Sequence, residues 1–262
     1  MDKVVKEQSA GKAAGAVIPV SDPTKPLACP ALYDLSRPLE VEVGCGRGRF
    51  LTGRAARMPD CEFLGVERMK ERVNVFASKC RRLGLANAHV LRLEALYTFH
   101  YLLPAHHARR VYVFFPDPWP KRKHRSHRLF GPLFLNALWK RLETGGRLEF
   151  ATDHAEYYHV VEDCFAADAR FARVAPRERG PEEWTEFETM FRDQGLPIHA
   201  SSAGRRAARG NLPPSVPPFR CGMNDGEMQA GKFRRLASTQ IPVVSACRFW
   251  YTFHAFHFAG VA

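Results

Sequence analysis

Apolar and polar positions along the middle of this 262-residue chain follow two interleaved rhythms. Short apolar runs predict strands at 39–43, 62–66, 88–92, 111–115 and 147–151. Between them apolar residues recur at helical spacing. Phe50, Leu51 and Ala55 lead to Met58, closed by Pro59; Val73, Phe76, Ala77, Cys80 and Leu83 are stopped by Gly84. A short helix follows Glu94, and Phe134, Leu135, Leu138 and Leu142 mark another, stopped at Gly145-Gly146. Asp153-His-Ala-Glu156 has the capping-box pattern, with Asp153 as N-cap of the helix carrying Tyr158, Val161 and Phe165. Strands alternating with helices in this way predict an α/β fold, a doubly wound and mostly parallel sheet with helices on both faces.

The rhythm also divides the chain. Residues 1–38 are small, polar and punctuated by Pro19, Pro23, Pro26, Pro30 and Pro38, the composition of a flexible, mostly disordered leader. Residues 39–202 hold the alternating elements. Residues 203–262 form an unassigned extension, with a Pro-rich loop at 211–218 and an apolar end at 241–262. Pro242, Arg248, His254 and His257 interrupt that end, which argues against a membrane span.

A net charge of +12 favours a polyanionic partner, but its distribution matters more than its size. The leader carries +1, the extension +6 and residues 39–202 only +5. The densest cluster is Lys121, Arg122, Lys123, Arg125 and Arg128, five cations in eight residues. Seven scattered cysteines without a Cys-x-x-Cys pair, in a chain with no secretory signal, suit free thiols in the cytoplasm and argue against a structural zinc site. His106-His107 and His124/His127 lack acids or cysteines at metal spacing, so no metal is expected.

The candidate chemistry lies at the ends of the predicted strands. Glu42-Val-Gly-Cys-Gly-Arg-Gly48 places Gly44, Gly46 and Gly48 at the first strand-to-helix turn, where backbone can approach a ligand closely. Glu42 is an acid inside a buried strand and needs a cationic partner. Glu67 ends the second strand, where a carboxylate can accept hydrogen bonds from ribose hydroxyls. Glu94 follows the third, within reach of an adenine amino group. S-adenosyl-L-methionine carries all three features. The fourth strand breaks into Pro116-Asp-Pro-Trp-Pro120, a stiff, acid-bearing loop leading into the basic cluster, which suits a base held beside a phosphate backbone.

These segments closely resemble the bacterial tRNA (guanine-N7-)-methyltransferase family over residues 39–202. The resemblance rests on Glu42-x-Gly-x-Gly-x-Gly48, Phe63-Leu-Gly-Val-Glu67, Phe114-Phe-Pro-Asp-Pro-Trp-Pro-Lys121, Ala151-Thr-Asp153 and Thr185-Glu-Phe-Glu188. It implies a class I Rossmann-like fold and methyl transfer from S-adenosyl-L-methionine to N7 of the variable-loop guanine at position 46 of tRNA. Glu42, Glu67, Glu94 and Asp117 then face the cofactor, and Asp117 takes the catalytic position. Lys121, Asp153, Thr185, Glu186, Phe187 and Glu188 take substrate-binding positions. The resemblance also implies a cytoplasmic enzyme, monomeric or homodimeric, working on tRNA and not at a membrane.

Three departures stand out. Glu94 replaces a shorter Asp or Asn, His154 an aromatic, and Glu186 a lysine. The family's last strand corresponds to 196–202. The alternatives are a tRNA-binding protein of this fold without activity, or an RNA methyltransferase acting on an amino group.

Overall fold

The computed structural model describes residues 17–20 and 27–207. Its elements run β1 Val17–Ile18, β2 Leu39–Val43, α1 Arg49–Arg57, β3 Glu62–Glu67, α2 Lys70–Leu83, β4 Ala88–Arg92, α3 Ala95–Tyr97, β5 Ala108–Phe114, α4 Pro132–Arg141, β6 Leu142–Thr152, α5 Ala155–Ala166, β7 Phe171–Val174, α6 Glu186–Asp193 and β8 His199–Arg205. The strands form one sheet in the order β1-β4-β3-β2-β5-β6-β8-β7. Every pairing is parallel except those of β8, which runs antiparallel to both neighbours. The expected doubly wound, mostly parallel sheet is therefore present.

Chain order reverses at β2. The chain places β3 and β4 on one side of it, β5 and β6 on the other, so the crevice over the carboxyl ends of β2 and β5 is the topological switch point. Alternation within the strands divides the core. Val41, Val43, Leu64, Leu91, Val111, Val113 and Phe150 pack with Phe134 and Leu138 of α4 and with Tyr157, Val161 and Phe165 of α5. Phe63, Val90, Tyr112 and Phe114 face the other way, against Phe50 and Leu51 of α1 and Val73 and Phe76 of α2.

β2 puts two acids, Glu40 and Glu42, on that second face, both buried. Glu40 is fully paired. Its carboxylate receives Arg54 Nε at 2.7 Å and NH2 at 3.0 Å, Arg109 NH2 at 2.6 Å and the Tyr112 hydroxyl at 2.8 Å. Burial pushes this carboxyl up, but Arg54, Arg109 and the Tyr112 hydroxyl together more than offset it and the net shift is downward. Arg54 NH1 then donates to Glu183 at 2.9 Å, which ties α1 to the segment leading into α6.

Several expectations need correction. Leu142 does not end a helix: α4 stops at Arg141, and Leu142 already pairs with Ala108 in the sheet. Complete burial of Leu142 between strands outweighs its helical spacing. Gly145-Gly146 forms an irregularity in β6 rather than a helix stop, with Gly145 at φ 79°. The N-cap of α5 is His154, not Asp153, because His154 Nδ1 accepts from the Tyr157 amide at 3.2 Å. The last strand spans His199–Arg205, so the boundary expected at 202/203 falls inside it.

Within 1–38, Ile18, Leu27 and Leu32 are buried in the core and β1 pairs with β4, so the packed unit reaches further back than residue 39. The rest of the expected leader, 1–16 and 21–26, and the extension from 208 onward lie outside the described residues. Among the described residues no helix is long and apolar enough to cross a membrane.

Removing one member of a buried ion network strands the others. Arg54→Met is expected to cost about 3–5 kcal/mol of stability, read from urea unfolding. A loss too small to measure would mean that Arg109 and Tyr112 alone satisfy Glu40.

Candidate active site

Parallel strands end on one edge of the sheet, and neighbouring strands lie about 4.8 Å apart. The order β4-β3-β2-β5-β6 therefore lines up, along that edge, Glu94, Glu67, the glycine turn, Asp117 and Asp153. These residues are distant in sequence and are adjacent only because of this winding.

The glycine turn leaves β2 with Gly44, Gly46 and Gly48 all at positive φ, 70°, 55° and 72°. The Gly44 amide donates to Val66 O at 2.8 Å, anchoring the turn to β3. A Cβ at Gly44 or Gly46 would meet nothing within 4 Å, so the turn borders open space. At Gly48, the N-cap of α1, a Cβ would fall 2.1 Å from the Phe76 ring, and only glycine lets α1 and α2 approach this closely.

Glu67 is buried, and backbone amides hold its carboxylate. Gly46 donates to Oε2 at 3.1 Å, and Arg68 and Met69 donate to Oε1 at 2.7 and 2.9 Å. Glu94 is half-buried and caps α3, its Oε2 accepting from the Tyr97 amide at 2.7 Å. The longer side chain of Glu94 thus has a local role that still leaves its other oxygen outside the cap.

Glu42 contrasts with Glu40 two residues earlier. It is 3% exposed, and its Oε2 has no hydrogen-bond partner. Burial pushes its carboxyl well up, and Arg179 and Lys79 only partly oppose this. An unpaired buried carboxylate beside an open glycine turn fits a ligand carrying a positive group.

The loop after β5 is strained. Phe115 and Trp119, which bracket Asp117, both have positive φ, 51° and 43°. Such conformations cost about 1–3 kcal/mol each and persist only where the surroundings enforce them. Here the Phe115 amide donates to Ala151 O at 2.7 Å and its ring packs on Phe191, centroids 5.4 Å apart. The Trp119 ring lies 5.0 Å from that of His127 and 5.8 Å from that of His124. Arg128 Nε donates to Pro118 O at 2.8 Å, and its other nitrogens fork onto Glu156 at 3.1 and 3.0 Å. Asp117 itself is exposed.

The basic cluster is therefore two groups. Arg125 and Arg128 bind Glu156 and brace the loop, whereas Lys121, Arg122 and Lys123 are exposed. Asp153 is also exposed and, free of a capping role, sits at the end of β6.

The segment 185–188 is divided in the same way. Thr185 is the N-cap of α6, its hydroxyl accepting from the Glu188 amide at 3.0 Å. Glu188 is fully buried between Arg179 at 2.5 Å and Arg192 at 3.0 Å. Glu186 and Phe187 are exposed. Lys79 of α2, whose ammonium burial pushes down, feels the opposing pull of Glu186, so a cation from another helix meets the reversed charge.

Sequence reasoning missed Arg179. Its guanidinium lies over the Phe114 ring at 4.1 Å, pairs with Glu188 and lines a cleft of about 450 Å3 with Glu149, Arg177 and Arg192. The one available signal was that three acids in buried surroundings, Glu40, Glu42 and Glu188, demand cations from somewhere. No spacing rule identifies which ones. Among the described residues no group of three or more His, Cys, Asp or Glu side chains is arranged to hold a metal ion.

An acid whose folded-state pKa is raised costs stability once the pH exceeds its unfolded value. Glu42→Gln should therefore stabilise the ligand-free chain by about 1–3 kcal/mol at neutral pH. That gain should shrink as the pH falls and Glu42 takes up its proton. Thermal unfolding of both chains between pH 5 and pH 8 reads this directly; equal midpoints throughout would show that Glu42 finds a partner.

Comparison with known proteins agrees with this arrangement. Residues 36–200 match a family described as "Putative methyltransferase". The tRNA (guanine-N(7)-)-methyltransferase of Halorhodospira halophila is 36% identical over 166 residues, 63% of this chain and 72% of that protein. The enzyme of the same name from Thermotoga maritima is 32% identical over 178 residues, 68% of this chain but only 57% of its own length. The crystal structure of the 16S rRNA methyltransferase KamB superposes with a TM-score of 0.50 at 15% identity, over 67% of this chain and 91% of that one, which speaks for the fold alone. By its match to the family model and its likeness to the Halorhodospira protein, the chain belongs to the tRNA (guanine-N7-)-methyltransferase family.

Proposed function

We propose that this chain transfers a methyl group from S-adenosyl-L-methionine to N7 of a guanine in the variable loop of tRNA. The observation that carries this reading is the row of side chains along one sheet edge. An unpaired buried acid and an open glycine turn stand on one side of the switch point, and a strained, acid-bearing loop with exposed cations on the other.

Bound S-adenosyl-L-methionine would supply a methyl carbon made electrophilic by its sulfonium. Glu42 would neutralise the cofactor's positive end, the interaction its burial otherwise denies it. Glu67, fixed by three backbone amides, keeps lone pairs for ribose hydroxyls, and Glu94 offers its uncapped oxygen to the adenine amino group. Gly44 and Gly46 leave room for the ligand against the backbone.

Guanine N7 carries an unprotonated lone pair at neutral pH, so the reaction needs alignment more than a strong base. Asp117 would accept from N1–H and N2–H of the guanine, select it over adenine and offset the charge that arrives on the ring. Its loop is rigid because Arg128 and the Trp119–His127 contact hold it, so the carboxylate is pre-positioned. Lys121, together with Arg122 and Lys123, would neutralise tRNA phosphates, and Asp153 would contact the substrate from the next strand. In segment 185–188, Glu186 and Phe187 would touch tRNA while Thr185 and Glu188 build and anchor the helix that presents them.

Asp117→Ala should lower methyl transfer from labelled cofactor into unmodified tRNA by at least about a hundredfold, with the fold intact. Cleavage specific for N7-methylguanine locates the product. Turnover near that of the parent would remove Asp117 from its role, and label on an exocyclic amino group would replace the reaction. Affinity for tRNA should fall with salt at a log–log slope of about −2 to −3, one phosphate for each of the three exposed cations. A flat salt dependence would sink the assignment of Lys121, Arg122 and Lys123.

A further inference from the structure

α6 is held in place by charge rather than by apolar packing. The helices α1, α2, α4 and α5 each bury two or more large apolar side chains, whereas the one buried residue of α6 is Glu188. The cleft of about 450 Å3 lies beside that residue and leaves this side of the helix without a packed apolar contact.

Glu188 is bound from two sides, and the contacts around it close into a cycle. Arg179 NH1 lies 2.5 Å from its Oε2, and Arg192 NH2 donates to its Oε1 at 3.0 Å. The Arg192 guanidinium lies over the Trp184 ring, 4.5 Å from the centroid. Trp184 Nε1 then donates back to Arg179 O at 3.2 Å. An ion pair, a charge-assisted hydrogen bond, a cation–π contact and a backbone hydrogen bond thus tie α6 to the segment before it.

Arg179 carries this cycle to the sheet. Its side chain is 9% exposed, and its guanidinium lies 4.1 Å from the centroid of Phe114. Phe114 ends β5, and its ring meets that of Phe50 in α1 edge-on at 5.0 Å. The next residue, Phe115, is held at positive φ two positions before Asp117, and its ring packs on Phe191 of α6. Two successive residues at the root of the Asp117 loop therefore rest on the unit that Arg179 joins together.

We propose that Arg179 is a positioning residue: through Phe114 and Glu188 it sets where the Asp117 carboxylate stands relative to α6 and the glycine turn. The role rests on the methyl-transfer reading above. It uses the shape of the guanidinium as well as its charge, because the flat face covers the Phe114 ring while an edge nitrogen pairs with Glu188. Lysine can keep the ion pair but not the flat face. Since the reaction demands alignment, a small displacement of the loop costs rate more than binding.

The test is Arg179→Lys in the full chain, with two readouts. Single-turnover methyl transfer into unmodified tRNA, per titrated cofactor site, should fall about tenfold or more, with half-saturation by tRNA within about twofold of the parent. A merely structural defect lowers the number of titrated sites and leaves the rate per site unchanged. The second readout is hydrogen exchange in the ligand-free chain. The Phe115 amide, which donates to Ala151 O, should exchange several-fold faster while the amides of β2 keep their protection. An unchanged rate per site, a loss confined to tRNA half-saturation, or unchanged exchange at Phe115 each overturns the proposal. A parent chain that transfers no methyl group to tRNA overturns the methyl-transfer reading itself, and the positioning role falls with it. Should Arg179→Lys not fold, Trp184→Phe opens the same cycle at the Arg179 carbonyl without removing a charge, and the same two readouts decide.

Discussion

A carboxylate in the middle of a buried strand must be neutralised, and β2 poses that demand twice on one face. At Glu40 the demand is met within the chain. Arg54 grips both oxygens, Arg109 and Tyr112 complete the shell, and the second arm of Arg54 carries the tie onward to Glu183. Because Arg54 sits in α1 and Glu183 just before α6, the pairing that keeps β2 in the core also places the helix bearing residues 186 and 187. At Glu42 the demand is left open beside the glycine turn. The same strand thus supplies an internal clamp at Glu40 and an unpaired carboxylate oxygen at Glu42, and both depend on its burial on two faces.

Much of this was legible in the residues. The strands at 39–43, 62–67 and 88–92 stand out because each is a compact β-rich run closed by a turn, and the acids at or just after their ends mark by position alone the edge to which the proposed chemistry is assigned. The strand at His199–Arg205 was less visible, because alanine, serine and glycine carry little strand signal. It is held by pairing to β6 and by Ser202 donating to Leu148 O. Leu142 obeyed helical spacing and lost to tertiary burial, and His154 displaced Asp153 as a cap, a competition between adjacent residues that pattern alone does not settle. The arginine network was illegible for a different reason. Arg54 and Glu183 are 129 residues apart, and no local rule pairs them.

The loop around Asp117 shows how strain and charge cooperate. Two non-glycine residues are held at positive φ, and the forces that hold them come from outside the loop: a strand carbonyl, a phenylalanine of the segment after β7, and an arginine clamped by α5. Part of the basic run is therefore structural, and counting cations in sequence overstates the charge available to a polyanion. Glu156, which anchors two of them, was read from sequence only as part of a cap.

The position of β8 bears on how the molecule comes into being. Among the described strands, β7 is hydrogen-bonded to β8 alone, and β8 lies between β7 and β6 although it is made after both. During synthesis β6 must wait with an open edge, and β7 without a neighbour, until the ribosome has released residues 199–205. An exposed edge of that kind is a template for pairing with other chains. The small, weakly apolar composition of the segment that finally seals it costs sequence signal, but gives a late-arriving strand little tendency to aggregate before it inserts.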